Sequence, residues 1–291
     1  FYTAAFPAEY GNTLSGVYDI RLRNGNNQQL EGIIGLGLIG TDLTLEGPLK
    51  EGYDGSFLVN YRYSISGVLN ELGLVEVTGE PSFQDAAFKL HLPTQKAGIF
   101  SVFGLGGYSA LSFENVTLDD WDTPGHQSMS GEVFEDFDKS SYLLNTGINH
   151  SIAIDDKSYL KTSLSMAMEG IDDDLMVKTD SLAEGVPGFV SEIRKANYRL
   201  SSTYNRKFSA RSSLQVGGIY TSFGQEATQL RRNTIDAPLL TQLSFDERLG
   251  NLRTFASWKY RPTEKLTLVA GLHNTNIFFT KEHTIEPRVA L

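Results

Sequence analysis

Residues 196–223 read ANYRLSSTYNRKFSARSSLQVGGIYTSF. Tyr198, Leu200, Ser202 and Tyr204 alternate with Arg199, Ser201, Thr203 and Asn205. After a polar break from Arg206 to Arg211, Leu214, Val216, Gly218 and Tyr220 alternate with Gln215, Gly217 and Thr221. Period-two alternation on both sides of a short polar break predicts a β-hairpin. One face carries aliphatic and aromatic groups and the other carries small and polar ones.

The same unit recurs in both directions. Strands are expected at about 31–49, 56–69, 82–92, 98–113, 140–154, 158–170, 250–261 and 265–279, with the start of an eleventh at 284–291. A change of parity near Ile39–Thr41 suggests a bulge at Gly40 in the first of them. In strand four, Ile99, Phe103, Leu105, Leu111 and Phe113 fall on one face. Residues 1–27 differ from the rest and contain one strand, Val17 to Arg23, closed by the AsnGlyAsnAsn turn at 24–27.

The connections sort by length. Short turns are expected at 50–55, 93–98, 155–158, 206–211 and 261–265, carrying Lys50, Lys96, Lys157, Lys207, Arg211, Arg261 and Lys265. Longer ones are expected at 70–81, 114–139, 171–195 and 224–249, and two of these are acidic. A soluble sandwich has no reason to sort its loops this way, whereas a transmembrane barrel does. The fold class is therefore all-β, a transmembrane antiparallel β-barrel. The strands also exceed the 5–6 residues of an ordinary soluble strand. Phe57, Val59, Tyr61, Leu214, Val216, Trp258 and Leu268 are expected to face lipid. Asn60, Arg62, Lys89, His91, Gln215, Lys259 and His273 are expected to face the lumen, because polar groups are costly in hydrocarbon.

Composition bounds what else is possible. The chain has 291 residues, no Cys, a net charge of −10 and a mean hydropathy of −0.22. A first residue of Phe reads as the interior of a longer protein. No apolar run reaches the roughly 18 residues of a membrane helix. The acidic balance argues against nucleic acid. The missing thiols exclude cysteine chemistry.

Residues 7–27, ProAlaGluTyrGlyAsn followed by SerGly and ArgAsnGlyAsnAsn, resemble the plug-to-barrel junction of TonB-dependent outer-membrane receptors. The Gly-rich first strand, with GluGly at 31–32 and GluGlyProLeu at 46–49, resembles that family's first barrel hairpin. SerPheGlnAspAlaAlaPheLysLeu at 82–90 resembles the receptors that carry a carboxypeptidase-regulatory-like domain. The resemblance implies a plugged barrel of about 22 strands in the bacterial outer membrane. About 10–11 of those strands are present, so 1–27 would be the plug's C-terminal end and 28–291 the barrel's N-terminal half. It further implies import of a scarce nutrient (siderophore, vitamin, peptide or glycan). Energy would come through TonB–ExbB–ExbD, with outer-membrane lipid and lipopolysaccharide as surroundings and a surface lipoprotein as an open question. A passive porin and a surface β protein that binds glycans or partners are the alternatives. A porin has no use for residues 1–27, and a surface protein has no dependence on lipid.

Chemistry is sparse. No nucleophile motif, phosphate loop or paired-carboxylate constellation argues for an enzyme. None of the five His has zincin spacing; lumen residues or a metal or haem ligand are the two readings. Asp119, Asp120, Asp122 and Asp172–Asp174 leave Ca²⁺ open beside solvated acidic loops; no other cofactor is implied. The acidic outer loops disfavour anionic ligands. Arg21 and Arg23 on the plug strand call for partners if buried, and Glu31, Glu46 and Glu286 are the candidates. The pairing would latch plug to wall; the other reading is a hydrated charge.

Overall fold

The computed structural model describes residues 6–11, 16–17, 19–37, 40–65, 72, 82–116, 134–178 and 184–291. Among these the chain is all strand, with no helix. Twelve strands form a single sheet: β1 (Glu31–Leu36), β2 (Gly40–Pro48), β3 (Ser56–Ser64), β4 (Ser82–Pro93), β5 (Ile99–Val116), β6 (Phe134–Asp155), β7 (Ser158–Lys178), β8 (Val186–Lys207), β9 (Ser212–Arg231), β10 (Leu240–Tyr260), β11 (Leu268–Ile277) and β12 (Glu282–Ala290). Each pairs antiparallel with the next, so spatial order equals sequence order and β1 and β12 are the margins.

Consecutive antiparallel pairing divides the connections between two ends. The short turns 49–55, 94–98, 156–157, 208–211 and 261–267 lie at one end. Residues 26–30 enter β1 at that same end, so Asn26 sits with Lys96, Lys157 and Arg261 and far from Asp173. Asp120, expected at the opposite end, lies outside the described residues, as do Asp119 and Asp122.

Three expectations need correction, and a fourth gains its side. The first strand is two strands, not one with a bulge. Ile34 pairs with Leu43 and Leu36 with Thr41, so the parity change marks a hairpin whose Gly37 N–H bonds the Gly40 carbonyl at 3.0 Å. The connections expected at 171–195 and 224–249 are mostly strand. β7 continues to Lys178, β8 starts at Val186, β9 runs to Arg231 and β10 starts at Leu240. Apolar and charged residues fall on both faces there, so alternation fades while the ladder continues. The odd residues of β5 share a face as expected, and Ile99, Phe103 and Leu105 place that face on the lumen side. Phe103 pairs with Lys89 and Gly147, whereas Phe100 and Val102 point outward. Finally, the strand Val17 to Arg23 forms no ladder among the described residues. Val17 makes an isolated bridge and 19–23 none. A lone extended segment has no ladder to join, and side chains hold it instead.

The outward face runs through Leu164, Leu200, Tyr220 and Leu252 on four neighbouring strands. Tyr204, Trp258 and Tyr260 lie toward the short-turn end, and Trp258 stacks on Tyr260 at 5.4 Å. Aromatic girdles around an aliphatic band are the pattern of a lipid-facing barrel wall. Burial does not separate lumen from lipid residues, because the sheet is open on both faces. Arg62 and Lys259 are as exposed as Val216. Outward glycines lie under neighbouring rings, with Phe88 over Gly104 and Tyr142 over Gly170, which fills the gap a missing side chain leaves.

Candidate functional site

The described part of 6–30 lies against the lumen face and is held at two places. The first is a turn at Pro7–Tyr10, closed by the Tyr10 N–H on the Pro7 carbonyl at 3.0 Å. It seats on the inner face of β9–β12. His273, fully buried, meets the Ala8 carbonyl through Nδ1 at 2.6 Å. A carbonyl only accepts, so Nδ1 donates to it, and Nε2 meets the Thr275 hydroxyl at 3.2 Å. Arg288 Nη1 donates to three carbonyls, those of Phe6 at 3.3 Å, Pro7 at 3.0 Å and Tyr10, while its Nη2 holds Glu286 at 2.6 Å. Gln215 donates to Glu9, and Arg253 Nη1 donates to the Gly11 carbonyl at 3.3 Å. Under the turn, Ala8 packs with Ile219 and Phe255 in a buried apolar cluster.

Close approach makes two glycines necessary here. A Cβ on Gly11 would fall 2.8 Å from His273 Cδ2 and closer still to Nε2. A Cβ on Gly271 would fall 2.6 Å from that of Ala8. Both overlaps are with groups that other contacts fix in place.

The second place is at the opposite margin. Arg23 grips Glu46 with both terminal nitrogens at 2.5 Å, and the Asn26 N–H adds a bond to Glu46 at 2.8 Å. The bond to Glu46 raises the Arg23 guanidinium above its ordinary value. Lys89 Nζ donates to the Leu22 carbonyl at 2.6 Å. Of the expected carboxylates, Glu46 is the one that bonds Arg23. Arg21 turns back onto Asp19 at 2.5 Å, and its hydrogen bond holds that carboxyl below its usual range. Glu31 accepts from Gln29 at 2.7 Å, and Glu286 belongs to Arg288.

Between the two places lies a cavity of about 580 Å³ lined by Arg21, Leu22, Lys89, Ser101, Lys161 and Ser163, among others. Asn60 donates to Thr44 at 2.8 Å, and Arg62 pairs with Asp85 at 2.7 Å on the same face as Lys89. His91 lies on that face too, opposite Ser56. Asp172 pairs with Arg194 at 2.6 Å and Asp173 with Lys139 at 3.1 Å. Among the described residues no group of three His or carboxylate side chains is arranged to hold a metal ion.

No family model matches the chain, and no curated protein does. Solved structures match over most of its length. One is the pyoverdine outer membrane receptor FpvA from Pseudomonas aeruginosa PAO1 bound to pyoverdine, with a TM-score of 0.61 and 13% identity. That match covers 92% of this chain and 44% of the receptor. P. aeruginosa FpvA bound to heterologous pyoverdines gives 0.56 at 13% identity, covering 89% and 39%. The FpvAI–pyocin S2 complex gives 0.51 at 14% identity, covering 91% and 40%. The fold is that of a TonB-dependent receptor barrel. The chain spans less than half the length of these structures, and at such identities the likeness is one of fold.

In this receptor-barrel fold the lumen contacts of His273 and Gln215 join residues more than 200 positions apart. Strand parity places both on the lumen side, yet nothing local in the sequence points to Ala8 or Glu9. Arg288 was missed altogether. Its signal is an arginine at lumen parity, in line with Gly271 of the neighbouring strand.

Proposed function

We propose that the chain is the plug end (1–27) and the N-terminal barrel half (28–291) of an energy-coupled outer-membrane transporter. It imports a scarce nutrient (siderophore, vitamin, peptide or glycan), with TonB–ExbB–ExbD as the energy source. The observation that supports this reading best is the N-terminal segment anchored along the lumen wall, at Arg288 and His273 on one side and at Glu46 and Lys89 on the other. A passive pore gains nothing from chain that occupies its lumen. In this reading the extended β6–β10 ends rise on the extracellular side, surrounded at their base by lipopolysaccharide, and the short basic turns face the periplasm. Arg23 and Glu46 join plug to wall.

Two measurements test it. In planar bilayers the purified protein should show no steady ion conductance; a constitutively open channel would replace the transporter with a porin. In intact cells, uptake of a labelled solute drawn from those classes should collapse when a protonophore dissipates the proton gradient. Uptake that persists would remove the energy coupling.

A further inference from the structure

Three of the short turns lie side by side and are laced to one another. The Lys207 N–H bonds the Lys157 carbonyl at 2.8 Å, and the Arg261 N–H bonds the Arg211 carbonyl at 2.8 Å. The row they form crosses β6 to β11, five strand spacings or about 24 Å. It carries six cationic side chains, Lys157, Arg206, Lys207, Arg211, Arg261 and Lys265, against three carboxylates, Asp155, Asp156 and Glu264. All six cations are exposed. Arg206 is matched by Asp155 at 3.4 Å; among the described residues the other five make no ion pair. This excess is local, because the chain as a whole carries a charge of −10.

Height on the wall decides what the row meets. Arg206 shares an outward rung with Leu214 and Trp258, and Tyr204 stands one outward step away from the turn. Trp258 stacks on Tyr260 and donates from Nε1 to the Ser212 hydroxyl at 2.9 Å. Outward Trp and Tyr stand where hydrocarbon gives way to headgroups. The cations follow within a few residues, at about 3.3 Å per residue, which puts them at the level of lipid phosphates. Apolar surface lies among them. Phe208 is 51% exposed, 6.0 Å from the Arg206 guanidinium, and Trp258 is 41% exposed. That mixture suits a partner with an anionic head and an apolar tail, and it gives a soluble acidic partner nothing to cover the rings.

We infer that this row is a docking surface for anionic phospholipid headgroups in the leaflet around the short-turn end. This rests on the reading of the sheet as a membrane wall. The lacing fixes the turns, so the cations are held as an array before any lipid arrives. Each Lys or Arg near an anionic lipid surface favours it about fivefold.

The test uses Trp258 as the reporter. The sequence holds two Trp, and Trp121→Phe leaves Trp258 as the sole indole. The full protein with that change is placed in phosphatidylcholine vesicles containing a minor fraction of brominated phosphatidylglycerol or, in parallel, of brominated phosphatidylcholine. Bromine quenches an indole that it touches. The phosphatidylglycerol should gain the Trp258 site with about fivefold preference or more, and the preference should shrink as NaCl is added. Lys207→Gln, Arg211→Gln and Arg261→Gln together should remove the preference and leave quenching by phosphatidylcholine intact. Arg231→Gln, at the far end of β9, should change nothing. Equal quenching by the two lipids would leave the row to a soluble acidic partner and overturn the inference; a preference that survives the triple change overturns it too. No quenching by either lipid fails the membrane-wall reading, whereas quenching without preference fails this inference alone. A protein that prefers phosphatidylglycerol yet conducts as an open channel fails only the transporter reading.

Discussion

Adding one methyl group at Gly11 should undock the Pro7–Tyr10 turn. The new Cβ overlaps the imidazole of His273, which is fully buried and tied at Nδ1 to Ala8. The ring has no free direction to move, so the overlap costs about 1–3 kcal/mol, the usual range for overpacking a filled site. Each 1.4 kcal/mol is about tenfold in the docked-to-undocked ratio. Hydrogen exchange at the Tyr10 amide, bonded to Pro7 in the turn, should therefore accelerate about 5- to 150-fold in Gly11→Ala. His273→Ala alone should also speed exchange, since it strands a buried carbonyl at a cost of about 1–3 kcal/mol. Combined, the two should cost less than their sum, because the truncated ring leaves room for the methyl. A coupling of about 1 kcal/mol or more in that cycle is expected for residues in contact. Unchanged exchange in Gly11→Ala, or strict additivity in the pair, would refute the docking geometry.

Three further outcomes follow from the same structure. Leu200→Arg, on the outward face, should destabilise the folded barrel in lipid by about 2–4 kcal/mol, whereas Ser201→Asn next to it on the lumen face should cost little; urea unfolding in vesicles reads both, and equal costs would reverse the assigned faces. The chain has no Cys, so single cysteines report sidedness cleanly. A membrane-impermeant maleimide should label Glu184→Cys in intact cells and Lys157→Cys only after the outer membrane is opened, and the opposite pattern would invert the orientation. Asp174, on β7 beyond the membrane band, has its carboxyl pushed up by burial and then by Asp172, Asp138, Glu192 and Asp173. A carboxylate with a raised folded value costs stability when ionised, so this ribbon should grow more stable as pH falls through that value, until the unfolded chain is protonated as well. Asp174→Asn should flatten the pH dependence of exchange protection in β7; an unchanged slope would count against the burial.

The alternation that reveals β7–β10 exists because one face meets lipid and the other a polar lumen, two environments that demand opposite side chains. Where neither face is uniformly apolar or polar, as at 171–178 and 186–195, the demand vanishes and the strand becomes invisible although its ladder persists. The β1–β2 hairpin was hidden for another reason. A bulge and a tight turn both shift parity at a glycine, and Gly37 and Gly40 fit either. Arg23 could be read as needing a carboxylate, but the choice of Glu46 over Glu31 depends on which side chain reaches back over Asn26. The seat for Ala8 is set by strands 210 or more residues away and leaves no local trace.

The N-terminal segment touches both margins of the sheet, Arg288 on the last strand and Glu46 on the second. Laid flat, those strands would stand ten spacings apart, about 48 Å. The chain from Tyr10 to Arg23 has a contour length of at most about 47 Å. The tether is thus no longer than the sheet is wide, and the curl of the sheet and the path of the segment are one variable. Flattening the wall between these two strands would draw the segment to its full length or detach one of its ends.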